Sequence, residues 1–409
     1  MSEDEGFFKS YELTQVKLPE SIVPKCGACG LYKTCRSPKM PYSGKGKKKI
    51  LIVAEAPGEE EDRQGLQLVG KSGSYLSSVL KKLGVDMRKD CWLTNAVICR
   101  PPDNELKDNK IIDYCRPNLI NTIKKLKPTT VIVLGGVAVK SLMYHVWSKD
   151  VDREVTRWTG WTIPSQTINA WICPTWHPAY LLRMESRVLE ASFRKHLKKA
   201  ITLSTNNPWP EGPPNYREQI ELLYDKKSIN KFLNGITSGI IAFDYETNML
   251  KPDNKEARII SCSICWNGKR TVAFPLLPGV KQPLRDLLGN GEVLKIAQNM
   301  KFEDRWTRKV LGVQVKGWRW DTMLGTHILD CRTDITGLKF MSFIVTGQPR
   351  YDANVEAFLK DSASANTPNR VDQIPLEELL IYNGMDSLLE FILADQQMSS
   401  MGLFMIPPK

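Results

Sequence analysis

The sequence predicts an α/β protein built from two domains. With 409 residues the chain is longer than one ordinary hydrophobic core supports. Each half contains short apolar runs followed by helical patterns, at residues 50–53 and 130–134 in the first half and 239–243 in the second. Residues 204–216 contain four prolines and a glycine, which disfavour regular structure. We therefore expect a first domain at residues 1–203, a linker at 204–216 and a second domain at 217–409.

The composition favours a nucleic-acid-binding protein without membrane spans. A net charge of +12 favours a polyanionic partner, although a basic surface that is merely solvated gives the same total. The sequence has no run of about 18 apolar residues. Residues 1–5 are acidic and do not begin a secretory signal, so we expect a cytoplasmic protein. In that compartment ten cysteines indicate metal or cluster ligation rather than disulfides.

Four of these cysteines have the spacing of a ligand set. Cys26 and Cys29 form a CxxC pair, and Cys99 and Cys115 follow with fifteen residues between them. Two such pairs can enclose an iron–sulfur cluster or a zinc ion, and the spacing alone leaves both open. We interpret Cys35 as a free thiol near this set.

Residues 65–72, GLQLVGKS, match the P-loop pattern letter for letter. A P-loop requires a strand that runs into its first glycine, but the preceding residues 59–64 are EEEDRQ, which is a poor strand sequence. We therefore reject nucleotide hydrolysis. Instead we expect Gly70, Lys71 and Ser72 to open a helix over residues 75–83 and to hold a DNA phosphate at its N-terminus.

The second half contains an apolar strand that ends in two acids, IIAFDYET at residues 240–247. Side chains alternate along a strand, so Asp244 and Glu246 point to the same face. Neighbouring carboxylates repel each other, and a hard divalent cation between them removes the repulsion. The pair therefore predicts a metal site.

Two further acidic segments complete a nuclease pattern. QNMKFEDR at residues 298–305 offers Glu303 and Asp304 on a helix. Tyr382 and Asp386 are four residues apart and share one helix face. Hydrolysis of a phosphodiester by two metal ions needs about four carboxylates and a group that orients the attacking water. We expect Asp244, Glu246, Asp386 and one acid of the 298–305 segment to bind the metals, and Tyr382 to orient the water.

These motifs resemble those of the DEDDy 3′→5′ exonucleases, especially the proofreading domain of family A DNA polymerases, over residues 217–409. The resemblance implies a ribonuclease H-like fold and two Mg²⁺ or Mn²⁺ ions. In that family an aspartate directly follows the aromatic residue of the second motif, whereas here Phe302 is followed by Glu303 and then Asp304. The register favours Glu303 as the ligand, and a shift of one residue would present Asp304. The RNase D type shares this residue set, but DYET, NMKF and WDTM are closer to the polymerase branch and favour DNA.

The first half resembles the iron–sulfur (family 4) uracil-DNA glycosylases over residues 20–202. The motifs are AEAPGEEEDRQG at residues 54–65, TNAVICRPP at 94–102, CRP at 115–117 and WHPAYLLR at 176–183. The resemblance implies a three-layer α/β fold and a [4Fe–4S] cluster on four cysteines, namely Cys26, Cys29, Cys99 and Cys115.

In that family the uracil is flipped out of the duplex into a pocket. The resemblance implies that Asn95 reads the base edge and that His177 stabilises the departing base. Glu55 and Glu61 would place or activate water. The family has a phenylalanine that stacks on the uracil, and by register this position is Leu68. Base stacking on an aromatic ring contributes about 1–3 kcal/mol, so its loss weakens capture of the flipped base.

The leading hypothesis is a metal-dependent 3′→5′ DNA exonuclease with a glycosylase-like DNA-binding domain. The chain resembles the N-terminal portion of certain bacteriophage family A polymerases, and we find no polymerase palm motifs in its sequence. We therefore expect it to proofread single-stranded or frayed 3′ ends for a separate polymerase subunit, in the cytoplasm of the infected host. One alternative is an active uracil-DNA glycosylase whose second half only binds DNA. The other is a non-catalytic replisome scaffold.

Overall fold

The computed structural model describes residues 24–147, 151, 154–206, 214–360, 364 and 367–406. The first half contains one five-stranded sheet with the strand order β2-β1-β3-β5-β4. Its strands are β1 Ile50–Ala54, β2 Cys91–Asn95, β3 Thr130–Leu134, β4 Ile163–Ser165 and β5 Ala170–Thr175. Its α-helices are α1 Cys26–Cys29, α2 Glu59–Gln64, α3 Lys71–Lys82, α4 Met87–Asp90, α5 Lys110–Leu126, α6 Gly135–Val146, α7 Pro178–Met184 and α8 Arg187–Asn206. Short 3₁₀ turns occupy Leu31–Lys33 and Pro102–Asn104.

Helices cover both faces of this first sheet. All five residues of β1 are buried and their side chains alternate between two cores. Leu51 and Val53 belong to the core that includes residues of α5 and α6. Ile50 and Ile52 belong to the core that includes residues of α3 and α8. The first half is therefore the three-layer α/β domain that the sequence predicted.

The four strands β2, β1, β3 and β5 run parallel, and only β4 is antiparallel to its neighbour. Their carboxyl ends therefore meet at one edge of the sheet. In open parallel sheets this edge is where ligands bind, since the connecting loops leave a crevice there.

The second half contains a six-stranded mixed sheet with the order β11-β10-β7-β8-β9-β6. Its strands are β6 Ile220–Leu222, β7 Gly239–Thr247, β8 Ile259–Trp266, β9 Arg270–Pro275, β10 Val293–Ala297 and β11 Trp318–Asp321. Its α-helices are α9 Lys226–Gly235, α10 Lys281–Gly289, α11 Met300–Trp306, α12 Thr322–Leu329, α13 Leu338–Thr346, α14 Glu356–Leu359 and α15 Leu376–Ser400. 3₁₀ turns occupy Tyr216–Gln219 and Val371–Gln373, and a π-helical turn occupies Thr307–Leu311.

The second sheet is also covered on both faces. Ile241 and Phe243 of β7 face the core that includes α9 and α10, whereas Ile240 and Ala242 face the long helix α15. This helix approaches the sheet closely, because a Cβ atom at Gly384 would lie 2.3 Å from the side chain of Ile220.

Helix α13 joins the two halves of the chain. Its residues Phe340, Phe343 and Ile344 are buried in the same core as β3, α5 and α6 of the first half. Just before this helix, Arg332 donates hydrogen bonds to the carbonyl oxygens of residues 156, 157 and 159 at 2.9–3.1 Å. The second half therefore completes part of the first half's hydrophobic core.

The structure confirms the predicted strands and differs from the sequence prediction at the linker. Helix α8 continues through residues 204–206, which we had assigned to the linker. The proline-rich residues 207–213 lie outside the described part of the chain, as do the acidic residues 1–5. No helix in the described ranges is both long enough and apolar enough to cross a bilayer.

Candidate active sites

The second half gathers three carboxylates at the carboxyl end of β7. Asp244, Glu246 and Asp386 each present an oxygen, and these oxygens all lie within 4.8 Å of one another. Asp244 and Glu246 continue the set of alternate β7 side chains that face α15, on which Asp386 lies. Three carboxylate oxygens at this spacing are suited to a hard divalent cation.

The structure separates the roles of the two neighbouring acids on α11. Glu303 is only 2% exposed, and its Oε2 atom has no hydrogen-bond partner within the described residues. Asp304 instead accepts a hydrogen bond from Arg308 at 2.6 Å and another from the backbone of Val315. The charges of Asp244 and Glu246 also act on Glu303, while Asp304 fastens the end of its own helix to the following loop.

Glu390 is a fifth acid that the sequence analysis did not single out. It lies one helical turn beyond Asp386 on α15 and is completely buried. Its Oε1 atom accepts a hydrogen bond from the backbone of Gln298 at 3.3 Å, and its Oε2 atom has no partner in the described structure. The spacing of four residues from Asp386 is the pattern that could have revealed it.

Burial and mutual repulsion act together on these carboxyl groups. Desolvation is the main cause that raises the pKa of Asp244, Glu246, Glu303 and Glu390 well above the usual range. The neighbouring carboxylates raise these pKa values further. A cluster of this kind favours either protons or bound cations over free ionised carboxylates.

Two side chains outside the predicted set hold Asp386. The Nζ atom of Lys339, on α13, lies 2.7 Å from Oδ1 and 2.5 Å from Oδ2 of Asp386. The hydroxyl of Tyr351 also donates to Oδ1. Burial lowers the pKa of the Lys339 ammonium, but Asp386, with Asp244 and Glu246, more than offsets this effect, and the pKa is raised on balance.

The predicted water-orienting tyrosine lies beside this pair. Tyr382 is buried on the same face of α15 as Asp386, and its ring centroid is 5.9 Å from that of Tyr351. Lys339 Nζ lies 4.6 Å from the centroid of the Tyr382 ring. Burial, and then the charge of Asp386, raise the pKa of Tyr382 well above its usual value. Its hydroxyl therefore keeps its proton and can donate a hydrogen bond.

Other polar side chains fix the carboxylates in place. Asn383 donates to Asp244 Oδ2 at 2.6 Å. Asp321 accepts hydrogen bonds from the backbone amides of Asn299 and Met300 at the start of α11, and from those of residues 323 and 324 at the start of α12. Asp321 thus orients the helix that carries Glu303.

The donor set fits divalent metal ions. All of its charged ligands are oxygen atoms, as Mg²⁺ and Mn²⁺ prefer. The buried Oε2 atom of Glu303 lacks a protein partner in the described structure, so it is available for a ligand. Glu246 and Asp386 are also largely buried, at 8% and 4% exposure.

The predicted glycosylase residues of the first half come to the same edge of the sheet. Glu55 directly follows β1, Asn95 ends β2 and His177 follows β5. Asn95 is 2% exposed, and its Nδ2 atom has no partner within the described residues. A buried amide donor without a partner is available to a base carbonyl.

His177 is held in one orientation and uncharged. Its Nδ1 atom accepts a hydrogen bond from the backbone of Ala179 at 3.2 Å, which leaves the proton on Nε2. Burial is the main cause that lowers its pKa to about 4, and the charge of Arg183 lowers it further. His177 also lies close to the backbone of Gly135, because a Cβ atom at that glycine would lie 2.9 Å from the His177 Cβ.

Two expectations around this edge need correction. Glu61 is not free to activate water, because its Oε1 accepts hydrogen bonds from the amides of Val69 and Gly70, and its Oε2 accepts one from Gly58. The helix α3 begins at Lys71 rather than at residue 75. The Gly70 amide that we had assigned to a DNA phosphate therefore already binds Glu61. A helix, α2, precedes residue 65, so the P-loop is rejected as expected.

Leu68, at the register of the family's stacking phenylalanine, is buried in the hydrophobic core. It is 7% exposed and packs with Ile50, Ile52 and Leu76. Its backbone has a φ of +53°, and its carbonyl accepts a hydrogen bond from Arg88 at 3.1 Å. Its side chain is aliphatic and offers no ring on which a flipped base could stack.

The four predicted cluster cysteines line one cavity in the first half, together with Tyr32, Val97, Ile98 and Tyr114. In the described ranges, no three of their sulfur atoms lie within 4.8 Å of one another. A metal ion or a cluster bound by these four cysteines would lie in this shared cavity.

The surroundings of these cysteines also fit a bound group. Burial raises the pKa of Cys99 to about 12 and that of Cys115 to about 11, so the free thiols stay neutral. Backbone amides of Lys39 and Ile98 point at these two sulfur atoms, at 3.2 and 3.4 Å. Such donors stabilise ligated thiolates. Cys35 lies next to Cys99 as a fifth thiol.

Comparisons with known proteins agree with the two halves of the structure. A family model described as the uracil DNA glycosylase superfamily matches residues 41–202. A second model, described as 3′-5′ exonuclease, matches residues 220–400.

Individual relatives match the chain in different ways. The first half is similar to the type-4 uracil-DNA glycosylase of Pyrobaculum aerophilum, with 34% identity over 43% of this chain and 88% of the relative. A DNA polymerase of Bacillus phage SP01 is 24% identical over 87% of this chain, which spans 40% of that polymerase. Among solved structures, Escherichia coli RNase D has a TM-score of 0.36 and 10% identity, with 45% of each chain covered.

Proposed function

Since the chain belongs to the uracil-DNA glycosylase superfamily through residues 41–202 and carries a 3′–5′ exonuclease domain at residues 220–400, we propose that it removes nucleotides from 3′ ends of DNA with divalent metal ions. The observation that carries this proposal is the gathering of three carboxylate oxygens within 4.8 Å of one another at the end of β7. Phosphodiester hydrolysis needs such a cluster to hold metal ions against the phosphate.

In this proposal Asp244, Glu246, Glu303 and Asp386 hold two Mg²⁺ or Mn²⁺ ions. When bound, such ions supply a deprotonated water as nucleophile and stabilise the departing oxygen. The protein aligns the site through hydrogen bonds, since Asn383 orients Asp244 and Asp321 orients the helix of Glu303. The protonated Tyr382 hydroxyl orients the attacking water. Asp304 takes no direct part.

We infer a role in proofreading from the similarity to a phage DNA polymerase across both halves of the chain. Frayed or single-stranded 3′ ends would be the substrate, and a polymerase carried on a separate chain would be the partner, in phage replication within the host cytoplasm. DNA is favoured over RNA because the first half belongs to a family that acts on DNA. The domain boundaries at residues 203 and 217 remain a prediction.

A direct test uses a single-stranded DNA oligonucleotide labelled at its 5′ end. With Mg²⁺ we expect a ladder of products shortened from the 3′ end, and in a chelator we expect intact DNA. An RNA oligonucleotide of the same sequence should be degraded much more slowly. Proofreading also predicts faster removal of a mispaired than of a paired 3′ nucleotide in a primer–template duplex. Equal rates of removal for mispaired and paired 3′ nucleotides would contradict proofreading but not the exonuclease activity.

For the first half we propose DNA binding and inspection for uracil, with Glu55, Asn95 and His177 around the flipped base. Neutral His177 would stabilise the departing uracil anion with a hydrogen bond donated from Nε2, and the Asn95 amide would read a carbonyl of uracil. Leu68, at the register of the family's stacking phenylalanine, supplies no aromatic ring to this pocket. We therefore expect weak glycosylase activity at most. An alkali-labile break at uracil, formed in a chelator and lost in His177→Ala, would reveal it.

We also propose that Cys26, Cys29, Cys99 and Cys115 hold a [4Fe–4S] cluster. The cavity that all four cysteines line and the amide donors at Cys99 and Cys115 support this assignment. Protein purified without oxygen should absorb visible light and contain about four iron atoms per chain. Stoichiometric zinc without iron would contradict the cluster.

A further inference from the structure

Lys339 forms a contact that the proposed reaction does not use. It lies in the first turn of α13, and its ammonium group is within 2.7 Å of both oxygens of Asp386. The lysine side chain is 21% exposed and the aspartate side chain only 5%. The ammonium also lies over the rings of Tyr382 and Tyr351, at 4.6 and 5.3 Å. A lysine held this closely is a built part of the site rather than a solvated surface charge.

This contact competes with a metal ion for the same oxygens. A carboxylate oxygen has two lone pairs. Both lone pairs of Asp386 Oδ1 are used, by Lys339 and by the Tyr351 hydroxyl, and one lone pair of Oδ2 is used by Lys339. Asp386 therefore cannot bind an ion through both of its oxygens unless the ammonium moves away.

Charge explains why an internal cation is present here. Four buried carboxyl groups and one half-buried one act on one another in this cluster: Glu246, Glu303, Asp386 and Glu390, and Asp244. The positive charge of Lys339 acts on Asp244, Glu246 and Glu390 as well as on its direct partner. Without a metal ion, removing this charge would leave the acids to repel one another in a site with little water.

The backbone of Lys339 is fixed from the other half of the chain. The next residue, Phe340, packs edge-on against Trp158 with ring centroids 5.2 Å apart. Phe343 packs against Trp147 with centroids 4.9 Å apart. Displacement of the ammonium from Asp386 would therefore be a movement of the side chain and not of the helix.

We propose that Lys339 is a built-in cation that holds the carboxylate cluster together before metal binding and is exchanged for a divalent ion at Asp386. The inference rests on the proposed exonuclease site and adds a residue that sets its metal affinity. Lys339 acts through Asp386 and is a positioning residue, not a catalytic one.

The exchange is tested by titrating the metal-free full-length protein with Mn²⁺ in a calorimeter. Lys339→Met removes the charge and keeps the length of the side chain, and Lys339→Arg keeps the charge. Lys269→Met is the matched control, because Lys269 is an exposed lysine in the β8–β9 turn at the opposite end of the sheet. Asp244→Ala measures any Mn²⁺ that binds elsewhere.

We expect Lys339→Met to bind Mn²⁺ at least about tenfold more tightly than the unchanged protein, because the competing charge is gone. Its metal-free form should unfold at a lower temperature, and saturating Mn²⁺ should close that gap. Lys339→Arg and Lys269→Met should bind like the unchanged protein. Unchanged or weaker binding by Lys339→Met would overturn the exchange. Equal binding by Asp244→Ala and the unchanged protein would instead overturn the proposed metal site, and the exchange with it.

A second measurement needs no variant and covers the case in which Lys339→Met does not fold. The unchanged protein is reductively methylated with and without Mn²⁺, and the modified lysines are identified by mass spectrometry. Lys339 should react slowly without metal and faster with Mn²⁺, while Lys269 reacts equally in both. Equal reactivity of Lys339 in the two conditions would contradict its displacement.

Discussion

At the exonuclease site the adjacent acids Glu303 and Asp304 differ in the direction in which their side chains leave the helix. Successive residues on an α-helix point about 100° apart, so Glu303 and Asp304 cannot both face the same cluster. The structure buries Glu303 with a free oxygen and ties Asp304 to Arg308 and Val315. A glutamate has one more methylene than the aspartate usual in this motif, so it reaches the same place from a slightly different backbone position.

This difference predicts unequal effects of two conservative substitutions. Glu303→Gln removes a metal-binding charge without changing the shape of the side chain, and we expect a loss of nuclease rate on the order of 100-fold. Asp304→Asn loses only a partly exposed ion pair and should change the rate less than about twofold. Both rates are measured on the same single-stranded DNA. A larger loss in Asp304→Asn than in Glu303→Gln would reverse the assignment.

Among the elements, α13 has the most unusual position. One of its faces carries Lys339 to the carboxylate cluster, while Phe340 and Phe343 enter the core of the other half. The following turn adds a close backbone approach, since Gly347 accepts a hydrogen bond from the amide of Gln166. The helix therefore ties the exonuclease site to the glycosylase-like half.

Because α13 packs into the core of the first half, truncation of one of its buried rings should lower the stability of the protein. Phe343→Ala should lower the free energy of unfolding by about 3 kcal/mol, because the ring is fully buried against Trp147 and Trp158. Phe404→Ala is the control, since that ring is 67% exposed. Urea denaturation measures both. Equal stability of the two variants would show that α13 does not bury its side of the interface in solution.

Some residues of the site could be predicted from local sequence patterns, and others could not. Strand alternation placed Asp244 and Glu246 on one face of a strand, and helical spacing placed Tyr382 and Asp386 on one face of a helix. Both predictions were possible because these patterns are local. Lys339 and Tyr351 were missed because they reach Asp386 through tertiary packing across 47 and 35 residues of sequence. The register assigns Leu68 to the position of a stacking phenylalanine, but its burial and its φ of +53° depend on tertiary structure and could not be predicted from the local sequence.

For the whole molecule, the metal-free carboxylate cluster couples stability to pH. Asp244, Glu246, Glu303 and Glu390 all have raised pKa values in the folded state, chiefly through desolvation. A raised pKa means that the folded state holds protons which the unfolded state releases. This contribution to stability is present below the unfolded pKa values and is lost as the pH rises through the folded ones.

We therefore expect the metal-free protein to unfold at a lower temperature at about pH 8 than at about pH 5.5. Mg²⁺ should add more stability at the higher pH, because it binds the ionised cluster. Glu390→Gln should flatten the pH dependence in the chelator, and Glu377→Gln, at an exposed position on the same helix, should not. Calorimetry with and without chelator checks both. Stabilisation by Mg²⁺ that is independent of pH would contradict the linkage.

The central claim concerns the whole chain, because it assigns two separate sites to its two halves. The most direct measurement gives Asp244→Ala, His177→Ala and the unchanged protein the same 5′-labelled single-stranded DNA with one internal uracil. In Mg²⁺ we predict a ladder from the 3′ end with the unchanged protein and with His177→Ala, and intact DNA with Asp244→Ala. A ladder that persists in Asp244→Ala, or its absence in all three, would contradict the exonuclease assignment.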